Sequence, residues 1–205
     1  MSEPKRVVIT GVGVVTPIGT GKEAFWEGLA TGQSGVSRVD DVVDLRDIPV
    51  KIGAYIREFD PLQFMDKKRA RRLGRSTQLA LAATKLALED GRFDLAQADR
   101  DRIGVVIGTG IGNIEALTEN YDILLQKGPG RVSPFFIPTF MPNAVVGEVS
   151  IEWGLRGPNY GVVSACASSN HALGLAADMI RYGYADVMIA GGTESVSRPL
   201  TFAGF

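Results

Sequence analysis

The chain of 205 residues contains one cysteine and one histidine. A disulfide framework needs cysteines in pairs and a structural zinc site needs several Cys or His ligands, so both are excluded. The chain also lacks a dominant charge. Its 22 basic and 23 acidic side chains leave a formal net charge of −1, so no global field draws it to nucleic acid or anionic lipid. No run of about 18 unbroken apolar residues occurs, and a membrane span is not supported. The opening MSEPKRVVITGVGVV places basic residues before an apolar run, but glycines interrupt the run and no small-residue cleavage site follows. It reads as a first strand, and a reducing, cytoplasmic setting is the expectation that agrees with a lone cysteine. What the chain has in quantity is apolar residues, 45% of the total, enough to bury a core.

Short β-branched runs alternate with longer segments of helical period. Strands are expected at 5–10 and 14–16 around Gly11 and Gly13, followed by a helix at 21–31 with Phe25, Trp26 and Leu29 on one side. The clearest helix is 76–90, rich in alanine and leucine, with Ser76 as cap and Gly91 as terminator. Residues 102–108 (RIGVVIG) have the continuous apolar run of a strand buried on both faces. A helix follows from near Asn113 to Gln126, then a proline-rich aromatic loop at 128–142, a helix at 143–153, a strand at 160–165, a helix at 167–182 and a strand at 186–190. Strand, helix, strand in that order predicts one α/β domain over 1–205, with a mainly parallel sheet covered by helices.

Two glycine turns, GVGVVTPIG at 11–19 and GTGIGN at 108–113, invite a dinucleotide reading. Each lacks the third glycine, and no ribose-binding acid follows the second at the usual distance, so close backbone approach is the better use. Cys166 lies where a β-branched strand passes through Ser164-Ala165-Cys166-Ala167-Ser168-Ser169 into a helix. A sulfur there meets first-turn amides and the positive end of the helix dipole, which favour a nucleophilic thiolate. A lone intracellular cysteine is ordinarily a small core hydrophobe; the cleared space around this one favours chemistry. The apolar residues of the following helix, Ala172 to Ile180, cover nearly its whole circumference, so burial on all sides is expected. His171, five residues along, is rotated about 140° from Cys166 and is read as structural rather than as its base. Residues 67–75 (KKRARRLGR) concentrate six basic side chains in an otherwise balanced chain. A solvated helix face, nucleic acid, or an acidic protein or phosphate-bearing ligand are the alternatives, and the absence of interleaved aromatics disfavours nucleic acid.

KRVVITGVGVVTPIG, GVVIGTGIG, VSPFFIP, GLRGPNYGVVSACASSNHALG and ADVMIAGGTES together resemble the β-ketoacyl-(acyl-carrier-protein) synthases, most closely the type II elongating condensing enzymes. The resemblance spans the whole chain and implies the N-terminal half of a thiolase-like fold. It implies that Cys166 is the acyl-accepting nucleophile, with its backbone N–H as an oxyanion donor. It further implies that Ile111 and Phe136 line the acyl channel and that Phe205 is a gating phenylalanine. Lys68, Arg71, Arg72 and Arg131 fall on positions that dock the acidic acyl carrier protein, although Gly130 replaces one basic neighbour. Family members are homodimers and use no metal or organic cofactor, the phosphopantetheine arm belonging to the carrier protein.

The same resemblance exposes a departure. The family's two catalytic histidines, a nearby lysine and a glycine-rich loop supplying the second oxyanion donor lie in a second half that this chain does not match, and His171 falls on a non-catalytic position. The expected chemistry is decarboxylative condensation of malonyl-carrier protein with an acyl group on Cys166, in fatty acid elongation, with the isolated chain incomplete for it. The ending TFAGF reads as that of a fragment. A non-catalytic chain-length partner subunit and a thiolase or initiating synthase are the alternatives; the retained cysteine disfavours the first, the SPFF loop and NHALG continuation the second.

Overall fold

The computed structural model describes residues 6–205. A two-residue hairpin of β1 (Val15–Thr16) and β2 (Gly19–Thr20) leads into helix α1 (Lys22–Ala30), and a second hairpin joins β3 (Val36–Arg38) to β4 (Ile52–Ala54). Helices α2 (Lys67–Ala70) and α3 (Arg75–Asp90) precede β5 (Ile103–Gly108). Helices α4 (Ile114–Lys127), α5 (Phe136–Phe140) and α6 (Ala144–Trp153) separate it from β6 (Asn159–Val162). Helix α7 (Ser168–Arg181) then leads to β7 (Val187–Gly192), and α8 (Pro199–Gly204) follows.

The central sheet runs β6-β5-β7, all parallel, with Val105 opposite Asn159 on one side and Ile189 on the other. Every residue of β5 is buried, as its unbroken apolar run requires of a strand covered on both faces. Alternation along it divides the faces. Ile103, Val105 and Ile107 join Ala80 and Leu81 of α3 and Val145, Val146 and Val149 of α6 in the main core. Gly108, on the other parity, meets α7: a Cβ there would overlap the carbonyl of Ser168. The expected α/β layering with a mainly parallel sheet is therefore present. No helix among the described residues is long and apolar enough to cross a membrane.

Four local expectations are corrected. The strand expected at 5–10 does not form over its described residues, because no neighbouring strand offers it a ladder and β-branched composition alone does not replace one. That segment is instead laid on α3, where Gly11 and Gly13 approach the carbonyls of Ala87 and Ala83 too closely for any side chain. On α1, Trp26 and Leu29 are exposed. Ser76 does not cap α3; Gly74 holds that position and Ser76 is buried in the first turn. Gly91 does end the helix as its C-cap; the left-handed residue is the following Arg92, at φ 47°, and Phe93 N–H closes on Leu88 O at 3.0 Å. Helix α7, lastly, is not buried all round. Only Ser168, Ala172 and Ala176, a single stripe at i, i+4 and i+8, are buried, because the sheet covers one side and nothing among the described residues covers the other.

Candidate active site: a strained cysteine turn at three strand ends

The three parallel strands deliver their carboxyl ends to one place, the position at which open α/β sheets bind ligands. Strand β5 exits into Thr109–Gly110, β6 into Ser164–Cys166 and β7 into Thr193–Glu194. These exits are cross-linked: Thr109 N–H donates to Val162 O and Thr193 N–H to Gly108 O, both at 3.0 Å.

Cys166 is exposed and sits two residues before α7 begins, between Ala165 and the capping residue Ala167. Ala165 has φ 52°, a left-handed conformation rare for a residue with a Cβ, so the turn persists only because its surroundings hold it. Ser168 supplies much of that hold. Its buried hydroxyl accepts from Ser164 N–H at 2.8 Å and donates to Ala165 O at 2.7 Å, with Thr109 O at 3.2 Å as a second acceptor. His171 is not paired with the cysteine: its Nδ1 lies 2.7 Å from Ser164 Oγ. The glycines have a packing role that a nucleotide reading would misassign. A Cβ on Gly110 would stand 2.8 Å from Glu194 Oε2, and one on Gly192 2.6 Å from Ser169 Cβ, so at both strand exits the bare glycine backbone makes room for a neighbouring side chain.

Ile111 lies on the turn leading into α4, and that turn rests against the end of α5, with Asn113 N–H donating to Phe140 O at 3.4 Å. Phe136 stacks on Phe140 with ring centroids 5.6 Å apart, so Ile111 and Phe136 belong to one neighbourhood beside the site. Phe205 is different. It is 94% exposed at the end of α8, and nothing among the described residues holds it beside Cys166.

The basic run is divided by the fold. Arg69 pairs with Glu148 at 3.1 Å and with Glu152, pinning α2 to α6. Arg75 lies over the Phe59 ring, 4.5 Å from its centroid. Lys68, Arg71 and Arg72 remain exposed, with Lys67, and make no ion pair among the described residues. Arg72 is stacked 5.2 Å from the centroid of Phe135, on the loop that also carries exposed Arg131, which brings three of the four expected docking residues onto α2 and its C-terminal turn and sets the fourth on the loop touching them.

Residues not singled out from the sequence complete the frame. Glu194 accepts from Thr109 Oγ1 at 3.0 Å and from Gly110 N–H at 2.6 Å. Glu115 accepts from Ser195 Oγ at 2.8 Å, Thr193 Oγ1 donates to Ser76 O, and Arg198 pairs with Glu119. Burial raises the Glu115 carboxyl above its usual range, against the opposing effects of the Ser195 hydroxyl and Arg198. Glu115, Thr193, Glu194, Ser195 and Arg198 border a groove of about 720 Å³ lined also by Thr16, Tyr55 and Arg75; Cys166 does not line it. No group of three His, Cys, Asp or Glu among the described residues is arranged to hold a metal ion.

An exposed cysteine on a strained turn, at the carboxyl ends of parallel strands and the start of a helix, marks the candidate site of an α/β protein of thiolase-like architecture. The chain belongs to the β-ketoacyl synthase family, residues 4–205 matching the family's "Beta-ketoacyl synthase, N-terminal domain". It is 43% identical to the 3-oxoacyl-(acyl-carrier-protein) synthase 2 of Coxiella burnetii over 203 residues, 99% of this chain and 49% of that protein. The protein of the same name from Synechocystis sp. is 41% identical over 203 residues, again 99% of this chain and 49% of the relative. The solved ishigamide ketosynthase/chain length factor superposes with a TM-score of 0.91 at 26% identity, covering 98% of this chain and 50% of that one. The chain thus spans about half the length of the curated relatives it matches.

Proposed function

We propose that this chain is the acyl-accepting half of a type II β-ketoacyl-(acyl-carrier-protein) synthase. The observation that carries the proposal is the exposed Cys166 on the left-handed Ala165 turn. Its thiolate attacks the thioester carbonyl of an acyl carrier protein, the oxyanion is met by the Cys166 backbone N–H, and the carrier's thiolate leaves as the acyl-cysteine forms. The acidic carrier protein docks on Lys68, Arg71, Arg72 and Arg131, which protrude while Arg69 and Arg75 are committed to internal contacts. The name of the curated relatives gives the carrier protein as what those proteins act on.

The second half-reaction, decarboxylation of malonyl-carrier protein and attack of the resulting enolate on the acyl-cysteine, needs groups that stabilise enolate charge. The only histidine is held by Ser164, so these residues support acyl transfer and not condensation. The natural setting is a cytoplasmic homodimer in fatty acid elongation, with no metal or organic cofactor of its own.

Intact-protein mass spectrometry after incubation with acyl-carrier protein tests this. One acyl group is expected on the chain and none on Cys166→Ala, with no β-ketoacyl product after addition of malonyl-carrier protein. Absence of acyl transfer defeats the nucleophile assignment; a β-ketoacyl product from this chain alone defeats the division of labour.

A further inference from the structure

We propose that Glu194 is the positioning residue of the cysteine turn. Its carboxylate ties the exit of β7 to that of β5 through two hydrogen bonds, one from Thr109 Oγ1 at 3.0 Å and one from Gly110 N–H at 2.6 Å. Bonds from N–H to a carboxylate are charge-assisted and short, so this is a firm tie between two segments 84 residues apart. Thr109 touches the cysteine turn, and Gly110 faces it. Thr109 O accepts from the Ser168 hydroxyl, which also holds Ala165 O. Gly110 faces the turn across a space that a Cβ, 3.7 Å from Ala165 O, would fill. Thr109 Oγ1 in turn accepts from Gly112 N–H at 3.1 Å, so the same carboxylate also orders the turn carrying Ile111.

A left-handed alanine stays left-handed only where neighbouring groups over-determine it. Ser168 grips the Ala165 carbonyl from the helix side, and the Glu194-braced turn supports it from the sheet side. Without the brace, Thr109 is free to move, its carbonyl leaves the Ser168 hydroxyl, Ala165 relaxes, and the Cys166 sulfur loses its single orientation. Because reacting atoms must be held near their attack geometry, loss of orientation slows acyl transfer without weakening carrier docking. Glu194 touches neither sulfur nor substrate, and it acts through Thr109 and Gly110. The proposal rests on Cys166 being the acyl acceptor.

The test compares the chain with Glu194→Ala, Glu194→Gln and Thr109→Val, measuring acyl transfer from acyl-carrier protein, alkylation of Cys166 by iodoacetamide against pH, and thermal melting. Glu194→Ala is expected to lower kcat for acyl transfer about tenfold, with KM changed less than about twofold, and to alter the pH profile of alkylation. Glu194→Gln keeps an oxygen for Gly110 N–H and offers an N–H to Thr109 Oγ1, so it is expected to recover most of the rate. Thr109→Val, which fills the same volume without the hydroxyl, is expected to show a smaller loss in the same direction and serves if Glu194→Ala does not fold. Unchanged kcat and pH profile in the folded Ala and Val variants overturns the proposal, as does a loss that only follows the unfolded fraction, or a Gln variant no better than Ala. If the parent chain accepts no acyl group, the functional reading fails by itself, and the alkylation profiles still decide whether Glu194 positions the sulfur.

Discussion

Residues 6–11, RVVITG, and residues 102–108, RIGVVIG, are nearly the same peptide, yet they end in opposite environments. The second is β5, hydrogen-bonded to a strand on each side and buried at every position. The first pairs with no strand among the described residues and leaves Val8 60% and Ile9 82% exposed. What anchors it is backbone: Gly11 and Gly13 pressed on α3, and Val12 N–H donating to Asp90 Oδ2 at 2.9 Å. A β-branched run is therefore only an offer of a strand, and available edges decide whether it is taken up. The candidate site follows the same division, since the elements holding Cys166 belong to the region around β5.

The strongest way to break this comparison is to truncate one side chain from each segment. Ile103→Ala in β5 is expected to lower the unfolding free energy by about 2–5 kcal/mol, because it leaves a cavity in the main core. Ile9→Ala is expected to change it by less than about 0.5 kcal/mol. Urea denaturation of both variants decides this, and equal losses would show that the N-terminal segment packs more tightly than its exposure implies. A smaller effect sharpens the contrast within the N-terminal segment itself. Gly13→Ala places a methyl group against the Ala83 carbonyl and is expected to cost roughly 1–3 kcal/mol, well above Ile9→Ala. If thermal melts rank these two variants the other way, backbone approach is not the anchor.

The smallest effects are in pH dependence and have opposite signs in the two regions. The Lys22 ammonium and Val12 N–H hold the Asp90 carboxyl below the usual carboxylate value of 3.8. That contribution is present at neutral pH and is lost as pH falls from 3.8 through the lower folded value. Asp90→Asn should therefore melt earlier than the parent at pH 7 and converge with it in acid. Glu115, raised by burial above 4.5, contributes most while protonated, below 4.5, and loses that contribution as pH rises through its folded value. Glu115→Gln should then be slightly more stable than the parent at pH 7 and no different near pH 4. Melting curves across pH that moved both variants in the same direction would contradict one of the two assignments.

The place of the candidate site was legible in the sequence. The small-residue frame around Cys166 predicts an exposed sulfur because only small side chains leave room for it, and Cys166 is exposed. The rotation from Cys166 to His171 predicts that they do not pair, and the ring indeed meets Ser164. The division of the basic run was not legible. Nothing local distinguishes Arg69 and Arg75, which are consumed by Glu148, Glu152 and Phe59, from Lys68, Arg71 and Arg72, which are not. Nor did the residue type at 165 announce a left-handed turn, which glycine or asparagine would have signalled.

The sequence by itself determined the order and type of the elements from β5 to β7, apart from the short helix α5 inside the segment read as a loop, and the location of the cysteine between strand and helix. Periodicity, capping and turn chemistry depend on residues one to four positions apart, and those are written consecutively. The tertiary structure alone decided which β-branched run became a strand, which face of α7 was covered, and that Glu194 braces Gly110. These outcomes depend on groups some 80 residues apart meeting within hydrogen-bond distance, and no local pattern records such a meeting.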